Sequence, residues 1–136
     1  MTVVIGIDPG VNTGIAVWDR PLQTFMSIET VQIHQAMEKV RQLHGAGMVH
    51  EVVFEDARLR TWFGTKGREA LQGAGSIKRD CSIWEGYLQH LGVKYRIVPP
   101  KAVRTKLNAE KFQRMTNWPH RTSEHARDAA MVVWGM

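Results

Sequence analysis

The feature that most constrains the fold is a pair of short apolar runs at the N-terminus. Val3-Val4-Ile5-Gly6-Ile7 is rich in β-branched residues and stops at Asp8-Pro9-Gly10, a strong turn signal. After Val11-Asn12 the chain resumes with Thr13-Gly14-Ile15-Ala16-Val17-Trp18. The two runs predict an antiparallel hairpin with Asp8 at the end of its first strand. Phe25 to Ile28, past the turn near Arg20-Pro21, predicts a third strand of the same meander.

Helical spacing follows. Val31, Ile33, Met37, Val40 and Leu43 predict a helix from about Thr30 to His44, ended by Gly45-Ala46-Gly47. Val49 to Phe54 is a β-rich run that closes on Glu55-Asp56. Between Glu69 and Leu91, residues Ala70, Leu71, Ala74, Ile77, Cys81, Trp84, Leu88 and Leu91 form an apolar stripe, and Gly92 stands where a helix C-terminal cap belongs. Val93 to Val98 predicts a last strand, halted by Pro99-Pro100. One or two short basic helices between Lys101 and Trp118 come next. A final helix opens at Ser123, a good N-cap, and carries Ala126, Ala129, Ala130, Val132 and Val133. This order predicts a single α/β domain over residues 1–136, with a mixed five-stranded sheet flanked by helices.

Composition supports one domain with a real core: 136 residues, 43% of them hydrophobic. No apolar run approaches the roughly 18 residues of a membrane span, and the N-terminus has no basic leader. The single cysteine, Cys81, excludes an internal disulfide and a cysteine-based zinc site, and fits a reducing cytoplasmic setting.

The net charge of +5 is unevenly spread. Residues 58–121 hold fourteen Lys and Arg against four acids, a local +10, which leaves −5 for the remainder. A basic middle between acidic ends points to a polyanionic partner, with acids concentrated where a metal would sit.

Three acids stand at element boundaries. Asp8 ends the first strand, Glu55 ends the fourth, and Asp128 lies one turn into the final helix. If the first and fourth strands are neighbours, Asp8 and Glu55 meet at one sheet edge, and a helix packed over that edge adds Asp128. Converging carboxylates repel unless protons or a divalent cation compensate them. Mg²⁺ and Mn²⁺ prefer such oxygen ligands, and a pair of ions about 4 Å apart suits phosphodiester hydrolysis. His125 and Asp128 are three residues apart on one helical face, so His125 is a further ligand or a proton-transfer group. Glu124, one residue back, faces elsewhere. Of Glu55 and Asp56, Asp56 reads as the solvated strand-end acid.

These residues carry a family resemblance. Ile5-Gly6-Ile7-Asp8-Pro9-Gly10-Val11-Asn12-Thr13-Gly14-Ile15-Ala16 resembles the opening motif of RuvC-type Holliday-junction resolvases. Val53-Phe54-Glu55 resembles their second acidic motif, and His125-Ala126-Arg127-Asp128-Ala129-Ala130 their C-terminal one, in its His-x-x-Asp form. The resemblance implies an RNase H-like fold, two Mg²⁺ or Mn²⁺ ions held by Asp8, Glu55, His125 and Asp128, and hydrolysis of DNA phosphodiesters. It is closest to the short, phage-encoded branch, which implies the cytoplasm of a bacterial host. The implied activity is that of a crossover junction endodeoxyribonuclease acting on four-way branched DNA in recombination, repair or phage DNA processing. Symmetric junction cleavage implies a homodimer.

The region after Glu55 departs from the family pattern, with Arg58, Arg60, Trp62, Phe63, Lys66 and Arg68 in an Arg-rich, aromatic stretch. Family members place junction contacts in this neighbourhood, so these residues are candidate DNA contacts, with Trp62-Phe63 suited to stacking on an unpaired base. Lys101, Arg104 and Lys106, beyond the last strand, are candidate phosphate contacts. Leu71 to Ser76 supplies small residues for close helix packing, including a subunit interface. Sugar kinases and actin-like ATPases share an Asp-Gly-Thr-Gly hairpin but need several hundred residues. Two alternatives stay open: an RNA-directed nuclease of the RuvC-related type that trims ribosomal RNA precursors, and a catalytically silent nucleic-acid-binding protein.

Overall fold

The computed structural model describes residues 1–59, 68–99 and 107–136, with the side chains of 68–74 excepted. Three strands come first: β1 (Val3–Asp8), β2 (Asn12–Asp19) and β3 (Thr24–Gln32), joined as an antiparallel meander. Helix α1 (Ile33–Gly45) leads to β4 (Val49–Glu55), and helix α2 (Arg68–Leu91) to β5 (Tyr95–Val98). Two further helices, α3 (Ala109–Thr116) and α4 (Glu124–Val133), close the chain. The sheet order is β3-β2-β1-β4-β5, with β4 parallel to both β1 and β5. Parallel neighbours require a crossover, and α1 and α2 supply the two that the sheet needs.

Strand alternation divides the core. Val3, Ile5 and Ile7 of β1 join Val52 and Phe54 of β4 on one face, under Ala36 and Val40 of α1 and Cys81, Trp84 and Leu88 of α2. Val4 and Val53 point to the opposite face, where Ala126, Ala129, Ala130 and Val133 of α4 and Phe112 of α3 cover them. The result is three layers, helices on both sides of a mixed sheet.

Three details differ from the reading of the sequence. The third strand runs on to Gln32, so the first helix starts at Ile33 and not near Thr30, because Thr30, Val31 and Gln32 pair with Gly14, Thr13 and Asn12 of the long β2. The fifth strand is shorter than Val93–Val98 and begins at Tyr95. Within the basic stretch between Lys101 and Trp118, expected to hold one or two short helices, one helix is described, Ala109–Thr116, in keeping with that expectation. Ile77, assigned to the buried stripe of α2, is 42% exposed. A 24-residue helix is about 36 Å long, whereas the seven-residue β4 is about 23 Å. Cys81 already stands level with the end of β4, its thiol facing the Glu55 carbonyl at 4.0 Å, so the part of α2 before it runs past the sheet.

Candidate metal centre

Asp8 and Glu55 end adjacent parallel strands. The register pairs Ile7 with Phe54, so the two acids are the next rung. Ile7 and Phe54 face α1 and α2, hence Asp8 and Glu55 belong to the α4 side of the sheet. The Asp8-Pro9-Gly10 turn is held by Thr13, fully buried, whose hydroxyl donates to the Gly10 carbonyl at 2.7 Å.

Helix α4 reaches that edge because two strand glycines let it. A Cβ on Gly6 would stand 2.3 Å from the Ala129 carbonyl oxygen, and one on Gly14 would stand 2.0 Å from that of His125. Real side chains never approach so closely, so the helix backbone lies directly on β1 and β2. Gly14 is the register partner of Asp8, which sets the first turn of α4 beside the Asp8 carboxylate. Ser123 caps that turn by accepting from the Ala126 amide at 3.3 Å, and its hydroxyl also meets that of Thr30 on β3.

Asp8, His125 and Asp128 consequently converge. One ligand atom from each lies within 4.8 Å of the other two. His125 Nδ1 is 3.0 Å from Asp8 Oδ2, across 117 residues of sequence, with His125 52% and Asp8 18% exposed in their side chains. Two carboxylates and an imidazole at that separation form a set of hard oxygen and borderline nitrogen donors, suited to a divalent ion. Glu55 is half-buried at the neighbouring strand end but is not a member of this tight set. Glu124 is exposed and likewise outside it.

Arg127, between His125 and Asp128 on α4, is a structural clamp that sequence inspection missed. Its Nε donates to the Leu107 carbonyl at 2.9 Å, and its Nη1 donates to the Thr122 carbonyl at 2.7 Å and the Thr122 hydroxyl at 3.2 Å. One guanidinium thus ties both ends of the excursion that contains α3. The strand glycines were findable, since a glycine inside a strand often marks a close backbone approach.

Beyond Glu55 the expectation for Asp56 is corrected. Asp56 is fully buried, not solvated. Burial alone would raise its pKa, but hydrogen bonds from the Arg58 side chain and backbone outweigh this and hold the carboxyl below its usual range. Arg58, a candidate DNA contact, has its guanidinium bonded to Asp56 and, at 2.9 Å, to Glu85 of α2. Arg60, Trp62, Phe63, Lys66, Lys101, Arg104 and Lys106 lie outside the described residues, as does the side chain of Arg68.

The architecture is that of the RNase H-like α/β fold: a mixed five-stranded sheet, acids at its carboxyl edge and a C-terminal helix laid across it. Among solved structures the chain is similar to that described as T. thermophilus RuvC in complex with Holliday junction substrate, with a TM-score of 0.62 and 17% identity over 97% of this chain and 90% of that one. At that identity the likeness is one of fold. No family model matches the sequence, and no curated protein does. Among the described residues no helix is long and apolar enough to cross a membrane.

Proposed function

We propose that this chain is a divalent-metal-dependent endonuclease that cleaves branched DNA, with the four-way junction as its substrate. The observation that carries the reading is the convergence of Asp8, His125 and Asp128 on the carboxyl edge of an RNase H-like sheet. The fold shared with a RuvC structure solved on a Holliday junction supports the choice of substrate.

Asp8, His125 and Asp128 would hold Mg²⁺ or Mn²⁺, with Glu55 contributing from the adjacent strand end to a two-ion site. Such ions, when bound, offset the negative charge that develops on the phosphate and make water a better nucleophile near neutral pH. The protein's own part is positional. The Gly6 and Gly14 contacts seat α4 directly on the sheet, so His125 and Asp128 enter the site from a backbone held against β1 and β2. His125 Nδ1 and Asp8 Oδ2 lie at hydrogen-bonding distance, 3.0 Å apart, and both atoms would turn to a cation held between them. The imidazole is exposed, so it is open to solvent and to a substrate phosphate, where it would serve as a ligand or a proton-transfer group.

The basic residues 58–121 would neutralise the DNA backbone, with Arg60, Lys66, Arg68, Lys101, Arg104 and Lys106 as phosphate contacts and Trp62-Phe63 stacking on a base. Matched nicks on opposite strands require two active sites related by a two-fold axis, and hence a homodimer.

The test is Mg²⁺-dependent nicking of a synthetic four-way junction by the wild type and by Asp8→Asn, beside flap, duplex and structured RNA substrates. The expected result is paired nicks in the junction, abolished in the variant, whose junction binding is retained or improved. Equal cleavage of every substrate would reduce the reading to a general nuclease, and preferred cleavage of RNA would favour the RNA-directed alternative. Undiminished cutting by Asp8→Asn would overturn the metal site.

A further inference from the structure

Immediately behind Glu55 lies a second charged cluster, on the opposite face of the sheet from the metal centre. Asp56 is completely buried, and both its carboxylate oxygens accept from Arg58 Nε at 2.9 Å. The Arg58 backbone amide donates to Asp56 Oδ1 at 2.9 Å, closing a tight loop at the end of β4. Arg58 Nη2 also donates to Glu85 Oε1 at 2.9 Å, and Nη1 to the Ser82 hydroxyl at 3.3 Å, both on α2. Glu85 Oε2 in turn accepts from the Tyr95 hydroxyl of β5 at 3.0 Å. The Asp56 amide donates to the Val98 carbonyl of β5 at 2.8 Å.

One guanidinium therefore joins the end of β4 to α2, and through Glu85 to β5. Two carboxylates already consume its charge, so it has little left to offer a phosphate. Stability is a poor explanation for the arrangement, because an apolar replacement of a buried ion pair often folds as well or better. What a forked, multiply bonded arginine supplies is a fixed direction. Side chains alternate along a strand, so anchoring Asp56 on the α2 side fixes the peptide that delivers Glu55 to the α4 side.

We infer that Arg58 is a positioning residue which, clamped between Asp56 and Glu85, holds the end of β4 so that the Glu55 carboxylate is presented to the Asp8–His125–Asp128 cluster. This rests on the metal-site reading above and reassigns Arg58 from DNA contact to internal brace. The two roles predict different signs. A simple charge effect makes Asp56→Asn and Arg58→Gln act oppositely on a polyanionic substrate, since one removes a negative and the other a positive charge. Positioning makes them act alike.

The experiment compares wild type, Asp56→Asn, Arg58→Gln and the double variant, each verified as folded by its thermal transition. Three quantities are read: the Mg²⁺ midpoint for junction nicking, Mn²⁺ binding by titration, and the salt slope of junction binding without a catalytic metal. The expected result is a midpoint raised on the order of tenfold in both single variants, with Mn²⁺ binding weakened alongside. The double variant should be no worse than the poorer single one, because both disrupt a single contact. The salt slope should stay unchanged. A slope reduced by about one in Arg58→Gln with an unmoved midpoint would make Arg58 a phosphate contact and overturn the inference. Should a single variant fail to fold, the double variant leaves no unpaired charge from this pair and decides alone: a midpoint equal to that of wild type overturns the inference. Wild-type protein that neither binds Mn²⁺ nor nicks would instead sink the metal-site reading, a result distinct from equal midpoints in active proteins.

Discussion

Gly14 and His125 are in backbone contact: a Cβ at Gly14 would stand 2.0 Å from the His125 carbonyl oxygen. A strand residue thereby sets the depth at which the helix with His125 and Asp128 lies on the sheet. Gly14→Ala must push α4 outward, since the obstructing atom is backbone and cannot rotate aside. The expected cost is about 3 kcal/mol of stability, at the upper end for overpacking, read as a lowered denaturation midpoint. Metal-dependent nicking should fall further than the loss of folded protein explains. Gly6→Ala, aimed at the Ala129 carbonyl at 2.3 Å, should behave in the same way.

His125→Ala separates chemistry from folding. The side chain is 52% exposed and meets Asp8 at 3.0 Å, so its removal should leave the thermal transition nearly unchanged. Nicking should slow by about a hundredfold or more, the usual scale for a lost proton-transfer group or ligand. A large fall in stability with normal turnover of the folded fraction would contradict this assignment.

Arg127→Met keeps the aliphatic stem but leaves the Leu107 and Thr122 carbonyls without their guanidinium donor. The expected loss is about 2 kcal/mol, in line with unsatisfied, partly buried acceptors. Hydrogen exchange should locate it in the excursion around α3, whose buried Phe112 and whose Trp118 both pack against Phe25, and not in the central strands.

Cys81 is fully buried, and burial pushes its thiol from an ordinary 9.0 up to about 11. At pH 8 the native protein should therefore resist thiol reagents and label only on unfolding. The sign for stability follows from which state releases its proton first. Between about pH 9 and 11 the unfolded chain ionises while the folded chain does not, so stability declines as pH rises through that window. Urea titrations at pH 7.5 and pH 10 should show this difference, and Cys81→Ala should reduce it.

Much of this molecule was legible in local pattern. The hairpin, the strand that ends in Glu55, the Ser123 cap and the pairing of His125 with Asp128 all follow from short-range rules, and the structure reproduces them. The helix expected from Thr30 failed at its first turn because β2 is long enough to hold Thr30, Val31 and Gln32 in its ladder. Ile77 failed because periodicity marks an apolar stripe without saying how far the covered surface extends. Asp56 and Arg58 failed for a related reason. A run such as Glu-Asp-Ala-Arg reads as solvated charge, and only the arrival of Glu85 from α2, 27 residues on, turns it into a buried network.

The hairpin that opens the sequence determined where Asp8 stands, at a strand end beside a proline–glycine turn, because that depends on neighbouring residues alone. Tertiary structure decided what Asp8 meets. The placing of β4 beside β1, the seat of α4 on Gly6 and Gly14, and the clasp around Arg58 all join residues far apart in the chain. Periodicity in a sequence states which face of an element is apolar. Which other element covers that face, and how closely, is fixed only when the backbones pack against one another.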